Sequence, residues 1–366
     1  MSYVHACISK GAWGICMFSN ICFVYPWATL GGVERVFLNR LMSFQHATPT
    51  LQVDVLFLHD SGGAVPLRAA LAREGIAARV LVAPDFEPGA VYDMVFCVDC
   101  PQAFALCERH GFRYLAECHT SYEQNRRYLQ KLPSRCERVV VPSALFGDRL
   151  RGELPDSIAA KVTVLRNFVP WDLAQRHNDL RAPSWVRRPL LFFGRMDWHK
   201  NPVMLLDALV QLNAKEDQRF FALMCGPFSP EIDMTQEIES RRLHSQVLMM
   251  PPIPFAASNT FLSMVKDAGG IYVSPSKGES FGLAAAEAMG SGMPVLLSDL
   301  PEHRFLVQGS EEDLVFNQKI TESLTDGILR VTENYSEYSS KVKEVRIRFS
   351  ASSFMNDWHD LLKGLK

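Results

Sequence analysis

Val273-Ser-Pro-Ser-Lys-Gly-Glu-Ser-Phe-Gly-Leu-Ala-Ala-Ala-Glu-Ala-Met-Gly-Ser-Gly-Met-Pro-Val295 is the stretch on which the architecture of this chain turns. Its start, Ile271–Ser274, is a short apolar run of the kind that forms a buried strand, and it ends in a turn with Pro275 and Gly278. Gly282–Met289 is rich in alanine, the cheapest residue to place in a helix, and Gly290 and Gly292 close it. The start of such a helix, at Phe281–Leu283, offers unpaired backbone N–H groups and the positive end of the dipole, which suits a phosphate. Two acids flank it. Glu279 lies in the turn and Glu287 eight residues on, about 12 Å along the axis if all were helical. Carboxylates accept hydrogen bonds from vicinal hydroxyls. The pair therefore suits a ligand with hydroxyls at both ends and phosphates between, Glu279 holding a sugar and Glu287 a ribose. Solvated or helix-capping acids are the alternative reading.

The strand-turn-helix rhythm extends in both directions. Upstream, apolar runs recur at Ile15–Tyr25, Val53–His59, Ala78–Ala83, Tyr92–Val98, Tyr114–Ala116, Arg138–Val141 and Lys161–Leu165. None alternates cleanly, as expected of strands buried on both faces of a parallel sheet. Val33–Phe44 and Pro66–Glu74 between them have helical spacing. The rhythm stops over Asn167–Arg188, where prolines, tryptophans and the polar stretch Gln175–Arg181 read as a linker. It restarts at Pro189–Gly194 and continues through Phe220–Cys225, Val247–Met250, Gly270–Ser274 and Met293–Leu297. The tail, Thr321–Lys366, reads as helical. The expectation is an α/β chain of two Rossmann-like domains, residues 1–172 and 173–344, with a last helix at about 345–366 packing back on the first. Open sheets of this kind bind ligands at the carboxyl ends of their strands, so two facing domains place the ligand in a central cleft.

Gly194-Arg195-Met-Asp-Trp-His-Lys200-Asn201-Pro202 follows the strand Leu190–Phe193. Gly194 lets backbone approach a ligand closely. Arg195 and Lys200, just past a strand end, can clamp a diphosphate and stabilise charge on it as it leaves. Leu30-Gly31-Gly32-Val33-Glu34-Arg35 follows the first strand, where any tight turn would use the glycines. His119, in Glu117-Cys-His-Thr-Ser-Tyr122, ends a strand and on its own is as readily structural as catalytic.

Ser274 through Pro294 resembles the Glu-x7-Glu signature of retaining glycosyltransferases of the GT-B fold, specifically glycosyltransferase family 4. The likeness is strong over Pro189–Pro301 and weak before Pro142. It implies a retaining hexosyltransferase that moves a sugar from a nucleotide-diphosphate sugar to a glycan or lipid-linked acceptor, as in polysaccharide or lipopolysaccharide biosynthesis. It implies that Glu279 contacts the donor sugar, Glu287 the ribose, and Arg195 and Lys200 the diphosphate. Gly194, Ser280, Phe281, Gly282 and Leu283 would line the donor site. Gly31 and Gly32 would lie against donor phosphate and acceptor, and His119 would reach the donor sugar across the cleft. Val141-Pro142-Ser143 and Asn167 match the end of the family's first domain, although Phe168 stands where the family commonly has glycine. With no obvious nucleophile, the resemblance favours a same-face displacement in which the leaving phosphate deprotonates the acceptor. No Asp-x-Asp motif occurs, so neither metal nor other cofactor is expected. A sugar-nucleotide epimerase, a phosphorylase or a non-catalytic sugar-nucleotide-binding subunit are the alternatives on the same scaffold. No G-x-G-x-x-G follows a strand, which disfavours a dinucleotide oxidoreductase.

Composition bounds the rest. A chain of 366 residues, 48% hydrophobic and 21% charged, is long enough for two cores. A net charge of −2 gives no field for nucleic acid. Nine scattered cysteines look like reduced buried thiols, and Cys97–Cys100 has metal or redox spacing without a second pair. Gly11–Val33 carries no charge, but Ser19, Asn20, Pro26, Gly31 and Gly32 interrupt it, so a buried strand is expected there rather than a membrane span. With no signal peptide evident, the expected compartment is the cytoplasm. Tyr122, Arg126, Arg127, Tyr128, Lys131 and Arg135 form a basic and aromatic stretch suited to peripheral contact with an anionic membrane, or to a plain solvated face.

Overall fold

The computed structural model describes residues 18–29, 31–83, 91–171, 173, 183–215 and 217–365. Cys7, Cys16, Leu30, the start of the uncharged stretch at 11–17 and the polar stretch Gln175–Arg181 lie outside the described residues. Seven strands, β1 (Asn20–Ala28), β2 (Gln52–Asp60), β3 (Arg79–Val82), β4 (Met94–Val98), β5 (Tyr114–Glu117), β6 (Val139–Val141) and β7 (Val162–Val164), form one sheet in the order β3-β2-β1-β4-β5-β6-β7. Six more, β8 (Arg188–Phe193), β9 (Phe220–Cys225), β10 (Val247–Met250), β11 (Ile271–Ser274), β12 (Val295–Ser298) and β13 (Val315–Phe316), form a second in the order β10-β9-β8-β11-β12-β13. The pairs at the centre of each sheet are parallel, and β4 is buried at every position. That is why its sequence is a continuous apolar run instead of an alternating one. The sequence reading contains no strand after Met293–Leu297. β13, two residues long, is too short to register as an apolar run.

The uncharged stretch, where described, is β1 and the glycine loop beyond it. Among the described residues no helix is long and apolar enough to cross a membrane. The last helix, Ala351–Lys363, returns to the first sheet: Trp358 is fully buried, its ring 4.8 Å from Phe44 and 5.5 Å from Phe96. Phe168 stacks 4.5 Å from Phe354 of the same helix, which accounts for an aromatic ring after Asn167 where a glycine was the comparison.

The basic and aromatic stretch changes character when folded. Arg126 is buried in a bidentate pair with Glu153, at 2.7 and 2.8 Å, and donates to the Ser121 carbonyl at 2.7 Å. The Tyr128 hydroxyl is buried and Tyr122 stacks on His199 at 4.1 Å. Arg127, Lys131 and Arg135 remain exposed. The surface patch is thus half the one read from the sequence. Cys97 and Cys100 are buried thiols. Burial raises Cys100 to about 12, and the Cys97 sulfur lies 3.9 Å from that of Cys107.

Candidate active site

Strand order reverses between β1 and β4 in the first sheet and between β8 and β11 in the second. Loops leaving adjacent strands there part to opposite faces and open a crevice. Most residues named from the sequence sit on the loops after those four strands or after neighbouring β5.

In the second half, Lys200 Nζ lies 2.6 Å from Glu279 Oε1, bringing together the loops after β8 and β11. Burial works to raise the Glu279 carboxyl, but Lys200 and His303 outweigh it and hold it below the usual range. Arg195 does not reach Glu279. Its guanidinium pairs with Asp197 and donates to the Tyr122 hydroxyl at 3.1 Å. Asp197, almost fully buried, also accepts the backbone N–H of Lys200 at 2.8 Å, so one carboxylate orients both cations of the loop. The helix Leu283–Ser291 begins one residue later than the Gly282 expected from the sequence, with Gly282 as its N-cap at φ 88. A Cβ on Gly282 would also stand 3.0 Å from Leu306, so glycine is required there. Phe281 offers only its backbone, because its ring is buried against Phe349 at 5.1 Å. The Ser280 carbonyl is taken by the Ser143 hydroxyl at 3.0 Å. Glu287 is buried in that helix, and its carboxylate meets the Arg35 guanidinium of the helix Gly32–Ala47. The carboxylate assigned to ribose is therefore already paired.

In the first half, a Cβ on Gly31 would stand 2.9 Å from Thr29 Oγ1 and 3.2 Å from Glu34 Oε2, so those side chains would have to shift to admit one. Gly32 meets nothing within 4 Å, so no contact explains it. Glu34 organises this loop, accepting from the Thr29 hydroxyl at 2.9 Å and the Gly31 N–H at 3.2 Å. Burial pushes its carboxyl up. His119 is buried at the end of β5, its backbone N–H donating to Asp99 at 3.1 Å and its Nε2 lying 2.6 Å from Glu117 Oε1.

Contacts join the two halves around this region. Arg35 donates to the Phe255 carbonyl and to Asn259, both at 3.1 Å. The Ser121 hydroxyl and His199 Nε2 are 2.9 Å apart. Arg149 donates to the Glu279 carbonyl at 3.3 Å and pairs with Glu302 at 3.1 Å. The sequence reading left out Arg35, Tyr122, Ser143, Arg149 and Asp197 as site residues. Arg35, Tyr122, Ser143 and Asp197 all lie inside stretches quoted above, but only the Asp197 side chain meets partners within its own motif. The others meet partners 73 to 252 positions away.

Residues 187–347 match the family described as glycosyl transferases group 1. A GDP-mannose:cellobiosyl-diphosphopolyprenol alpha-mannosyltransferase of Xanthomonas oryzae pv. oryzae is 31% identical over 144 residues, 38% of this chain and 36% of that protein. The O-antigen biosynthesis glycosyltransferase WclY of Escherichia coli is 24% identical over 161 residues, 44% of this chain and 43% of that protein. The chain thus spans well under half the length of these curated relatives. Among solved structures, Anabaena Alr3699/HepE in complex with UDP and glucose superposes with a TM-score of 0.74 over 94% of this chain and 99% of that one, at 15% identity. Residues 187–347 are thus similar to the glycosyl transferases group 1 family, and the fold of the chain is GT-B.

Proposed function

We propose that the chain transfers a sugar from a nucleotide-diphosphate sugar to a glycan or lipid-linked acceptor, with retention of anomeric configuration, in the assembly of a cell-surface polysaccharide or lipopolysaccharide. The observation that carries this reading is the meeting of Lys200 and Glu279 at 2.6 Å beside the start of the helix Leu283–Ser291. A cation, a helix N-terminus and a carboxylate that accepts from sugar hydroxyls converge at the switch point of the sheet. The names of the mannosyltransferase and O-antigen relatives, and the UDP and glucose bound to the Anabaena protein, support the same substrate class.

In this mechanism the anomeric C–O bond to the diphosphate breaks and the acceptor oxygen bonds to the same face of the sugar. The acceptor hydroxyl proton passes to a leaving phosphate oxygen. Lys200 and Arg195 stabilise the charge that grows on the diphosphate, and Glu279 orients the sugar. Residues 1–172 take the acceptor side and 173–344 the donor side in this reading.

The test is release of nucleoside diphosphate from UDP-, GDP-, ADP- and dTDP-sugars, alongside the melting shift each produces. One donor should stabilise the protein and turn over, with product anomer read by NMR. Lys200→Ala should lower kcat/KM by roughly 100-fold with the fold intact. Normal turnover in that variant, or no donor raising the melting temperature, overturns the reading. Phosphate-dependent release of a sugar phosphate would mark a phosphorylase instead.

A further inference from the structure

Behind His119 lies a buried ion chain for which the donor chemistry above has no use. Glu117, the last residue of β5, is fully buried and receives the Arg40 guanidinium in a two-pronged bond, Nη1 to Oε2 at 3.0 Å and Nη2 to Oε1 at 2.5 Å. Arg40 comes from the helix Gly32–Ala47, is itself wholly buried, and lies between the rings of Phe23 and Phe354, 5.6 and 5.8 Å from their centroids. A buried pair of this kind costs several kcal/mol of desolvation per ion, and apolar residues of similar size are often as stable in its place. Stability alone is therefore a poor reason for it. Its geometry supplies a better one, because Glu117 Oε1 also faces His119 Nε2 at 2.6 Å.

Burial works to raise the Glu117 carboxyl, but the Arg40 charge and the hydrogen bond from His119 outweigh it and bring it to about 2. An ionised carboxylate only accepts, so the ring nitrogen facing it must donate. In its neutral form the imidazole then carries its proton on Nε2 and presents a bare lone pair at Nδ1. Nδ1 has no hydrogen-bond partner among the described residues. Asp99 meanwhile fixes the backbone of His119. Ring orientation and tautomer are thus both set from behind, by β4, β5 and the first helix.

We propose that Arg40 and Glu117 are positioning residues that lock His119 in its Nε2–H tautomer, making Nδ1 an acceptor for a sugar hydroxyl in the cleft. The inference rests on the nucleotide-sugar reading for its ligand, though not for the lock itself. It predicts discrimination among donors by whether a hydroxyl is present to donate at that point, since a site built around one hydrogen bond rejects an analogue that lacks it.

The experiment has two arms. In the full-length protein labelled with 15N-histidine, long-range proton–nitrogen correlation should show His119 with a proton-bearing Nε2 and a bare Nδ1. Glu117→Gln keeps the shape but can present either an oxygen or an amide, so the ring should populate both tautomers. If the uncompensated Arg40 prevents that variant from folding, Arg40→Met/Glu117→Leu removes both charges together and keeps the site apolar. In the kinetic arm, either variant should lower kcat/KM for the donor at least tenfold while leaving the Kd of UDP and GDP unchanged. His119→Ala added to it should cost little more, because the lock acts only through His119. A proton on Nδ1 in the wild type, a tautomer unchanged in the variants, or fully additive losses each overturn the proposal. If the wild type turns over no nucleotide sugar, the transferase reading fails, and the NMR arm still decides the lock.

Discussion

Asp99 stands at the end of β4 in the left-handed region, φ 43, where a non-glycine residue costs on the order of 1 kcal/mol or more. Its carboxylate accepts the N–H groups of His119 at 3.1 Å and Thr120 at 3.4 Å, so the strain accompanies a fixed His119 loop. Burial pushes the carboxyl up to about 6, against the pull of His119 and those N–H bonds. An acid raised by folding contributes stability below its unfolded value, and that contribution is lost as pH rises through the folded value, here about 6. Asp99→Asn keeps an acceptor oxygen for both N–H groups and does not ionise. The variant should melt above the wild type at about pH 8, and the two should converge as pH falls towards 4. Melting curves across that range check this. A difference independent of pH would place the effect elsewhere than the ionisation of Asp99.

β8 and β9 pair from Arg188 with Phe220 to Phe193 with Cys225, and a glycine follows each. The sequence points to Gly194, but the steric demand falls on Gly226. A Cβ there would stand 2.0 Å from the Gly194 carbonyl oxygen at φ 147, whereas one on Gly194 meets nothing within 4 Å. Gly226→Ala should therefore destabilise by about 2–4 kcal/mol in denaturant unfolding, and Gly194→Ala by less than about 1. The reverse order would show that Gly194 carries the constraint. The contrast marks where sequence stops being informative. β9 coincides with the run Phe220–Cys225 because a strand buried on both faces writes itself as contiguous apolar residues, whereas β10 coincides with Val247–Met250 although it is an edge strand with Leu248 exposed. Lys200 and Glu279 were legible because each lies on a loop whose strand, glycine and helix are neighbours in sequence. Gly226 was not, because its constraint comes from a carbonyl on another strand. Arg35 likewise reads as one more charge on an amphipathic helix until the second sheet is in place.

The two halves meet through polar groups, some of which belong to the proposed donor site. Arg35 reaches Glu287, the Phe255 carbonyl and Asn259, and Arg73 donates to the Ala256 carbonyl at 3.1 Å on the same side. Around the β5 and β6 loops, Tyr122 holds Arg195 and Ser143 holds the Ser280 carbonyl. In this arrangement groups assigned to the proposed donor site are paired with other residues of the protein. If ribose binds Glu287 through the oxygen that Arg35 holds, it must displace Arg35, and the apparent affinity is reduced by the fraction of molecules in which the pair is broken. Removing the competitor should then tighten nucleotide binding. Arg35→Ala is expected to lower the Kd of UDP or GDP in calorimetry by about tenfold, or ~1.4 kcal/mol, while Glu287→Gln raises it. In solution scattering the same variant should be more open than the wild type without ligand, since three bonds from one side chain across the halves are lost. Once nucleotide is bound the two should coincide. Weaker nucleotide binding in Arg35→Ala, matching the loss in Glu287→Gln, would make Arg35 part of the nucleotide site and not its competitor.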